Sequence, residues 1–89
     1  MSNFEATLNR LGYAFKEKIE GQLVYQKKLT QADLVLVFDL ARRSISPILV
    51  PSQLIIHKDD IDKLGVCFRT LQEDAEYLQK LTKNYIILT

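Results

Sequence analysis

The densest group of potential metal ligands in the sequence lies at the start of its most regular apolar pattern. His57, Asp59, Asp60 and Asp62 offer one imidazole and three carboxylates within six residues. Carboxylates bind hard cations, and an added imidazole suits a transition metal. Gly65 lies five residues after Asp60, but no acidic residue ends the twelve-residue calcium loop that Asp60 would begin. Aspartates at a helix start are already stabilised by the helix dipole, so we predict neither a metal nor another cofactor.

The single cysteine and single histidine restrict nucleophilic catalysis. Cys67 and His57 are ten residues apart across a predicted helix start, and Cys67 borders an apolar stripe. A catalytic thiolate needs a base within hydrogen-bond reach, whereas a free cysteine is usually a small buried hydrophobe. The spacing of Glu17, Glu20 and Asp39 does not single out a paired acid and base. We therefore predict that the protein is not an enzyme.

Basic side chains are the feature that points to nucleic acid. They occur as two adjacent pairs, and an exposed aromatic ring beside them would stack on a base. The net charge of +1 provides no general attraction to phosphates, and no helix-turn-helix or RNA-binding signature is present. Nucleic-acid binding is therefore the alternative hypothesis. Its residues are Lys27, Lys28, Arg42 and Arg43 at one end of a sheet, with Lys16 and Lys18 on the outer face and Tyr13 or Tyr25 for stacking.

A long helix over residues 59–83 is the strongest element that the sequence predicts. Apolar residues recur at spacings of three and four, which places them along one side of an α-helix. Asp59 or Asp60 caps the start, while Lys80 and Lys83 suit the other end of the dipole. A break at the internal glycine is the alternative, because glycine costs about 1 kcal/mol relative to alanine. The stripe comprises Ile61, Leu64, Phe68, Leu71, Ala75 and Leu78, with Cys67 and Leu81 at its margins.

A short helix is predicted at the N-terminus, over residues 3–11. Its apolar residues share one face, and Gly12 suits the left-handed residue that commonly follows a helix. The helical spacing also fits a continuation to Ile19, but glycine weakens a helix and the residues that follow fit a hairpin better.

Alternating apolar and polar residues from Tyr13 to Leu29 predict a β-hairpin with a three-residue turn at residues 20–22. This turn places Ile19 opposite Leu23, and Tyr13 opposite Leu29, so that both apolar sets share one face. A slip by one residue would turn one set to solvent, which favours the stated register.

Two further strands are predicted after the hairpin. Residues 34–41 are apolar on both faces up to Asp39, so we place them centrally in the sheet. Pro47 and Pro51 flank the apolar residues 48–50, which suits an edge strand, where missing amide donors cost little.

The segments at residues 54–56 and 85–88 have two interpretations each. The first extends the edge strand or leads into the long helix, and the second adds a last strand or an apolar tail. The predicted fold is α+β: a short N-terminal helix, an antiparallel meander of three or four strands, and a long C-terminal helix packed on one face. With 89 residues, the chain is expected to form one domain.

The composition is that of an ordinary globular protein, with 47% hydrophobic and 26% charged residues. A single cysteine excludes an internal disulfide, and without a secretory signal a reducing cytoplasm is the expected location. The longest apolar run, residues 34–38, is too short to cross a bilayer.

The length of the predicted helix suggests a protein partner. Its 25 residues would span about 37 Å, whereas a compact domain of this size is about 31 Å across. Either the sheet and the first helix bury the whole stripe, or its outer part meets another chain. We prefer a non-enzymatic protein that binds protein, as a homodimer formed through this helix across a two-fold axis. The predicted contact residues are Phe68, Leu71, Tyr77, Leu78 and Leu81.

Overall fold

The protein folds into a four-stranded antiparallel sheet with two helices on one of its faces. The computed structural model describes residues 3–52 and 58–84. The strand order is β1-β2-β3-β4, a simple meander, and the predicted α+β architecture is confirmed. The elements are α1 (Asn3–Leu11), β1 (Ala14–Ile19), β2 (Gln22–Lys28), β3 (Ala32–Asp39), β4 (Ser44–Pro51) and α2 (Lys58–Asn84).

The core lies between the helices and the face of the sheet that we call the helix face. The central strand β3 has strict alternation, so that Leu34, Leu36 and Phe38 are buried on the helix face. Leu71 and Leu78 of α2 are fully buried in the same cluster. Since residues two apart on a strand share a face, the sequence of β3 fixes which side of the sheet the helices cover.

The end of α1 is set by Gly12, as the sequence predicts. Gly12 has a φ of 100°, and its N–H donates to the carbonyl of Asn9 at 3.1 Å. The N–H of Tyr13 donates to the carbonyl of Leu8 at 2.9 Å. These two bonds form the Schellman arrangement, which satisfies the last carbonyls of a helix and turns the chain away.

The helix α2 is continuous through Gly65, so the alternative of a break at this glycine is wrong. Its 27 residues span about 40 Å at 1.5 Å per residue, which is close to the longest dimension of the molecule, 43 Å. Apart from its chain neighbours and the adjacent backbone of α2, no heavy atom of the described residues lies within 4 Å of a Cβ placed at Gly65. Close approach of another part of the described chain therefore does not explain this glycine.

The predicted register of the first hairpin is wrong. Ile19 pairs with Gln22, and Lys18 pairs with Leu23, across a two-residue turn. Glu20 and Gly21 both have positive φ, 46° and 81°, which is the backbone of a type I′ turn. Such a turn matches the right-handed twist of the flanking strands. Tyr13 and Leu29, predicted to pair, lie outside the two strands.

A β-bulge in β1 changes which side chains face the helices. Phe15 pairs with Tyr25, Glu17 pairs with the next residue of β2, and the register shifts between them. A bulge inserts one extra residue and so reverses the side-chain alternation. Phe15 therefore points to the helix face while Ile19 points to the opposite face, with 47% of its surface exposed. The prediction that both apolar sets of the hairpin share one face is wrong for this reason.

Tyr13 connects the junction of α1 and β1 to the long helix. Its ring is buried, and its hydroxyl donates a hydrogen bond to Oδ2 of Asp74 at 2.9 Å. The Nζ of Lys27 lies 5.8 Å from the ring centroid and donates to the carbonyl of Leu11 at 2.9 Å. Burial first, then the hydrogen bond and the charge of Asp74, raise the pKa of Tyr13 well above its ordinary value of 10.0.

Gly65→Ala is expected to raise the free energy of unfolding by about 1 kcal/mol, because alanine is the better helix former and the added methyl meets open space. The matched control is Gly21→Ala, which forces alanine into a left-handed conformation and is expected to cost about 1–2 kcal/mol. Urea denaturation of the two variants measures both changes. A loss of stability in Gly65→Ala would contradict a continuous, exposed helix at this position.

Tyr13→Phe is expected to flatten the alkaline decline in stability. The unfolded chain releases the tyrosine proton above about pH 10 while the folded chain keeps it, so the free energy of unfolding falls by about 1.4 kcal/mol per pH unit. The variant lacks this contribution, and at neutral pH it loses about 1.5–3 kcal/mol with the hydrogen bond to a carboxylate. Urea denaturation across an alkaline pH series tests this, and parallel curves for the two proteins would contradict it.

Candidate functional site

The face of the sheet opposite the helices carries a contiguous group of β-branched residues. Directly paired residues in an antiparallel sheet point to the same side. Val37 pairs with Val24 on one side and Val35 pairs with Ile48 on the other. Val50 extends the group at the end of β4. We call these five residues the outer face: Val24, Val35, Val37, Ile48 and Val50.

The outer face is open to solvent in the described part of the chain, because α1 and α2 both pack on the helix face. Ile48 and Val50 are each 45% exposed. The valines of the central strands are half-buried by their neighbours within the sheet. An antiparallel sheet with one solvated face normally places polar residues there, so five neighbouring aliphatic side chains depart from that pattern.

Charged side chains lie at both ends of the outer face. Lys28 and Asp33 pair directly across β2 and β3 at one end. Asp33 also accepts a hydrogen bond from Nε2 of Gln26 at 2.9 Å. Gln22 and Asp39 form the corresponding pair at the other end. The surface is therefore an apolar centre with a polar rim, which is the usual anatomy of a protein interface.

The edge strand β4 is largely blocked against pairing with another strand. The N–H of Ile45 donates to Oε1 of Gln79 at 3.0 Å, so it points away from β3. The alternation of backbone groups places Pro47, Leu49 and Pro51 on the same side. The two prolines have no N–H to donate. Nε2 of Gln79 donates a hydrogen bond to the carbonyl of Arg43 in the preceding turn. Leu49 is therefore the residue on this side of β4 whose N–H is neither missing nor bonded to Gln79.

The other edge, β1, is protected differently. The bulge between Phe15 and Glu17 interrupts its ladder, and Lys16 and Lys18 place charge along it. Bulges and lysines both oppose strand addition at a sheet edge. Lys18 pairs with Leu23 and so lies on the helix face, which makes its predicted outer-face position wrong. With both edges protected, the surface left for docking is a face.

The structure does not bring the five predicted helix contacts together. Leu71 and Leu78 are fully buried in the core of the chain itself, and Leu81 is partly buried against it. Phe68 and Tyr77 are 41% and 45% exposed. They are nine residues apart, however, which at 3.6 residues per turn places them on opposite sides of α2. A single partner surface cannot contact both.

The prediction that the four basic residues cluster at one end of the sheet is wrong. Lys28 lies opposite Asp33 at the start of β3, whereas Arg42 and Arg43 follow Asp39 at its end. Six residues of strand separate these ends by about 20 Å. Lys27 and Lys28 also point to opposite faces, because they are adjacent on one strand. Tyr13 and Tyr25, predicted to stack on bases, are 1% and 5% exposed.

The predicted chemical groups are only partly described by the structure. His57 and the segments at 54–56 and 85–88 lie outside the described residues. Among residues 3–52 and 58–84, no three histidine, cysteine or acidic side chains form a group able to hold a metal. Cys67 is buried in the core cluster, which agrees with its interpretation as a small hydrophobe.

A cleft of about 350 Å³ lies between α1 and the first hairpin, on the helix face. Phe15 packs edge-on against Tyr25 at its base, with 5.6 Å between ring centroids. Burial and then the charge of Glu5 raise the pKa of Tyr25, so its phenol remains protonated at neutral pH. The cleft is also lined by Asn9, Lys18 and Leu23, and these side chains do not supply a nucleophile paired with a base.

Comparison with protein-family models, with curated proteins and with solved structures finds no match for this chain. Of the two helices in the described residues, neither is long and apolar enough to cross a membrane. The functional argument therefore depends on the surface chemistry of the chain itself.

The double variant Pro47→Val/Pro51→Val is expected to self-associate into large particles as its concentration rises. It restores two outward N–H groups along β4, and an open edge strand is a template for pairing. Light scattering measures the effect. The control is Ile48→Val/Val50→Ile, whose amides face β3, and it should remain dispersed. Equal scattering from the two variants would mean that the prolines do not protect this edge.

Proposed function

We propose that this chain is a non-enzymatic protein that acts by binding protein, and that it forms a homodimer through the outer face of its sheet. The observation that carries the proposal is the contiguous patch of five β-branched aliphatic residues on a face that neither helix covers. Removing apolar surface from water contributes about 25 cal/mol per Å². A second molecule over this face would remove most of this patch from water.

The protected edges support docking through a face. Gln79 and two prolines block most of β4, and the bulge and lysines protect β1. Proteins that extend their sheet through a partner need an open edge. Two sheets that pack face to face need no free edge, and they form the core of a β-sandwich at a spacing of about 10 Å.

The outer face is better suited to a dimer than the helix surface expected from the sequence. Of the predicted contacts, Leu71 and Leu78 already stabilise the core of the chain. Phe68 and Tyr77 point to opposite sides, so each would contribute alone. Isolated exposed apolar residues are common on monomers. A contiguous group on a rigid sheet, in contrast, offers a preorganised surface that loses little conformational entropy on binding.

Val37→Lys is expected to convert the dimer to a monomer without unfolding it, because Val37 lies on the central strand of the outer face and is only half-buried. A buried lysine without a counter-charge at the interface is strongly unfavourable. Sedimentation equilibrium at micromolar concentrations measures the mass, and circular dichroism checks the fold. The matched control, Val66→Lys, alters a 60% exposed valine on α2 and should leave the dimer intact.

Two outcomes would contradict this proposal. A wild-type protein that remains monomeric throughout the micromolar range would exclude the homodimer. A dimer that survives Val37→Lys but is lost in Phe68→Lys would move the interface to the helix.

A further inference from the structure

We infer that the second copy docks with a two-fold axis parallel to the strands, between β2 and β3, so that Lys28 of each copy pairs with the partner's Asp33. This inference rests on the proposed homodimer and specifies its arrangement. In a two-fold interface the same patch meets itself, so a residue i that contacts j requires j to contact i. Lys28 and Asp33, of opposite charge and adjacent on the outer face, meet this requirement.

The arrangement follows from the order of residues on the outer face. Rotation about an axis along the strands stacks β2 of one copy on β3 of the other, with the same end of each sheet together. Val24 then lies over the partner's Val37, and Lys28 lies over the partner's Asp33. At the opposite end, Gln22 lies over the partner's Asp39, where its amide can donate to the carboxylate.

The other two-fold axis that stacks the sheets runs across the strands, and the charges oppose it. This rotation places each strand over the same strand of the partner, running in the opposite direction. Asp33 then lies over the partner's Asp39, and the same contact occurs twice. Ile48 lies over the partner's Ser46, whereas Val35 lies over the partner's Val37, so the charges and not the apolar groups distinguish the two axes. Like charges brought together at an interface oppose association, so the axis along the strands is the favoured one.

The dimensions of the sheet allow this contact. Four strands at about 4.8 Å and eight residues at about 3.3 Å give a face of about 500 Å² in projection. The two copies together bury about 1,000 Å², which reaches the lower range of specific interfaces. Packed sheets are rotated by about 30°, which offsets the strand ends by about 5 Å. The flexible four-carbon stem of a lysine can follow an offset of this size.

Charge reversal tests the pairing directly. Lys28→Glu and Asp33→Lys are each expected to raise the dissociation constant of the homodimer by about tenfold or more, since each places like charges together twice. An equimolar mixture of the two variants should form a heterodimer, because every contact between them is again attractive. Native mass spectrometry separates the three dimers by mass. In the control, Lys28→Glu is mixed with Glu73→Lys, which alters an exposed residue of α2; the mixture restores the net charge but should not form the heterodimer.

A double swap separates the contact between chains from the pair within one chain. Lys28→Glu/Asp33→Lys preserves the opposite charges within the hairpin, so its fold is maintained. It is expected to dimerise with itself about as tightly as the wild type, since the attraction between copies is also kept. Mixed with wild type, it should be excluded from shared dimers, because Lys28 would then face a partner's lysine and Asp33 a partner's glutamate.

The outcomes distinguish this inference from the homodimer itself. A dimer that is sensitive to Val37→Lys, but in which the double swap mixes freely with wild type, would overturn the arrangement and leave the homodimer. The same holds if the two single variants show no preference for each other. A strictly monomeric wild type would overturn both.

Discussion

The contact between the buried side of β3 and the apolar stripe of α2 is the interaction on which the rest of the structure depends. Leu34, Leu36 and Phe38 meet a cluster that includes Leu71 and Leu78. Once α2 covers this side of the central strand, the meander order of the sheet assigns every other strand a side that faces the helices and an opposite side. In residues 3–52 and 58–84, both helices lie on the same side of the sheet. The open side is therefore a consequence of how the core is built.

The regular elements were predictable because their signals are local. The spacing of apolar residues defines α2, and Gly12 marks the end of α1 through its own backbone conformation. The register of the first hairpin was not predictable in the same way. A type I′ turn at Glu20 and Gly21 competes with a longer loop, and a bulge at Lys16 then reverses the alternation that the sequence suggests. Each of these features shifts the strand pairing by one residue. An alternating pattern of apolar and polar residues does not show where such a shift occurs.

The candidate site was missed for a different reason. The sequence places residues 34–38 as apolar on both faces, which correctly indicated a central strand, and the second apolar set includes Val35 and Val37. Recognising a surface there required knowing that both helices lie on one side of the sheet. That is a long-range property, as is the separation of Lys28 from Arg42 at opposite ends of β3. The predicted helix contacts failed in part because the same leucines were needed for the core.

The two bonds from Gln79 to the start of β4 have a consequence for the newly made chain. Gln79 belongs to the last 27 residues of the described sequence to be synthesised. A ribosome extends the chain from the N-terminus. The four strands therefore emerge before Gln79, whose side chain hydrogen-bonds to the start of the edge strand β4. During that interval, Pro47 and Pro51 oppose the pairing of β4 with another strand without help from Gln79. They are encoded within the strand itself, and so they act from the moment the strand forms, whereas the glutamine completes the protection only after the long helix has docked.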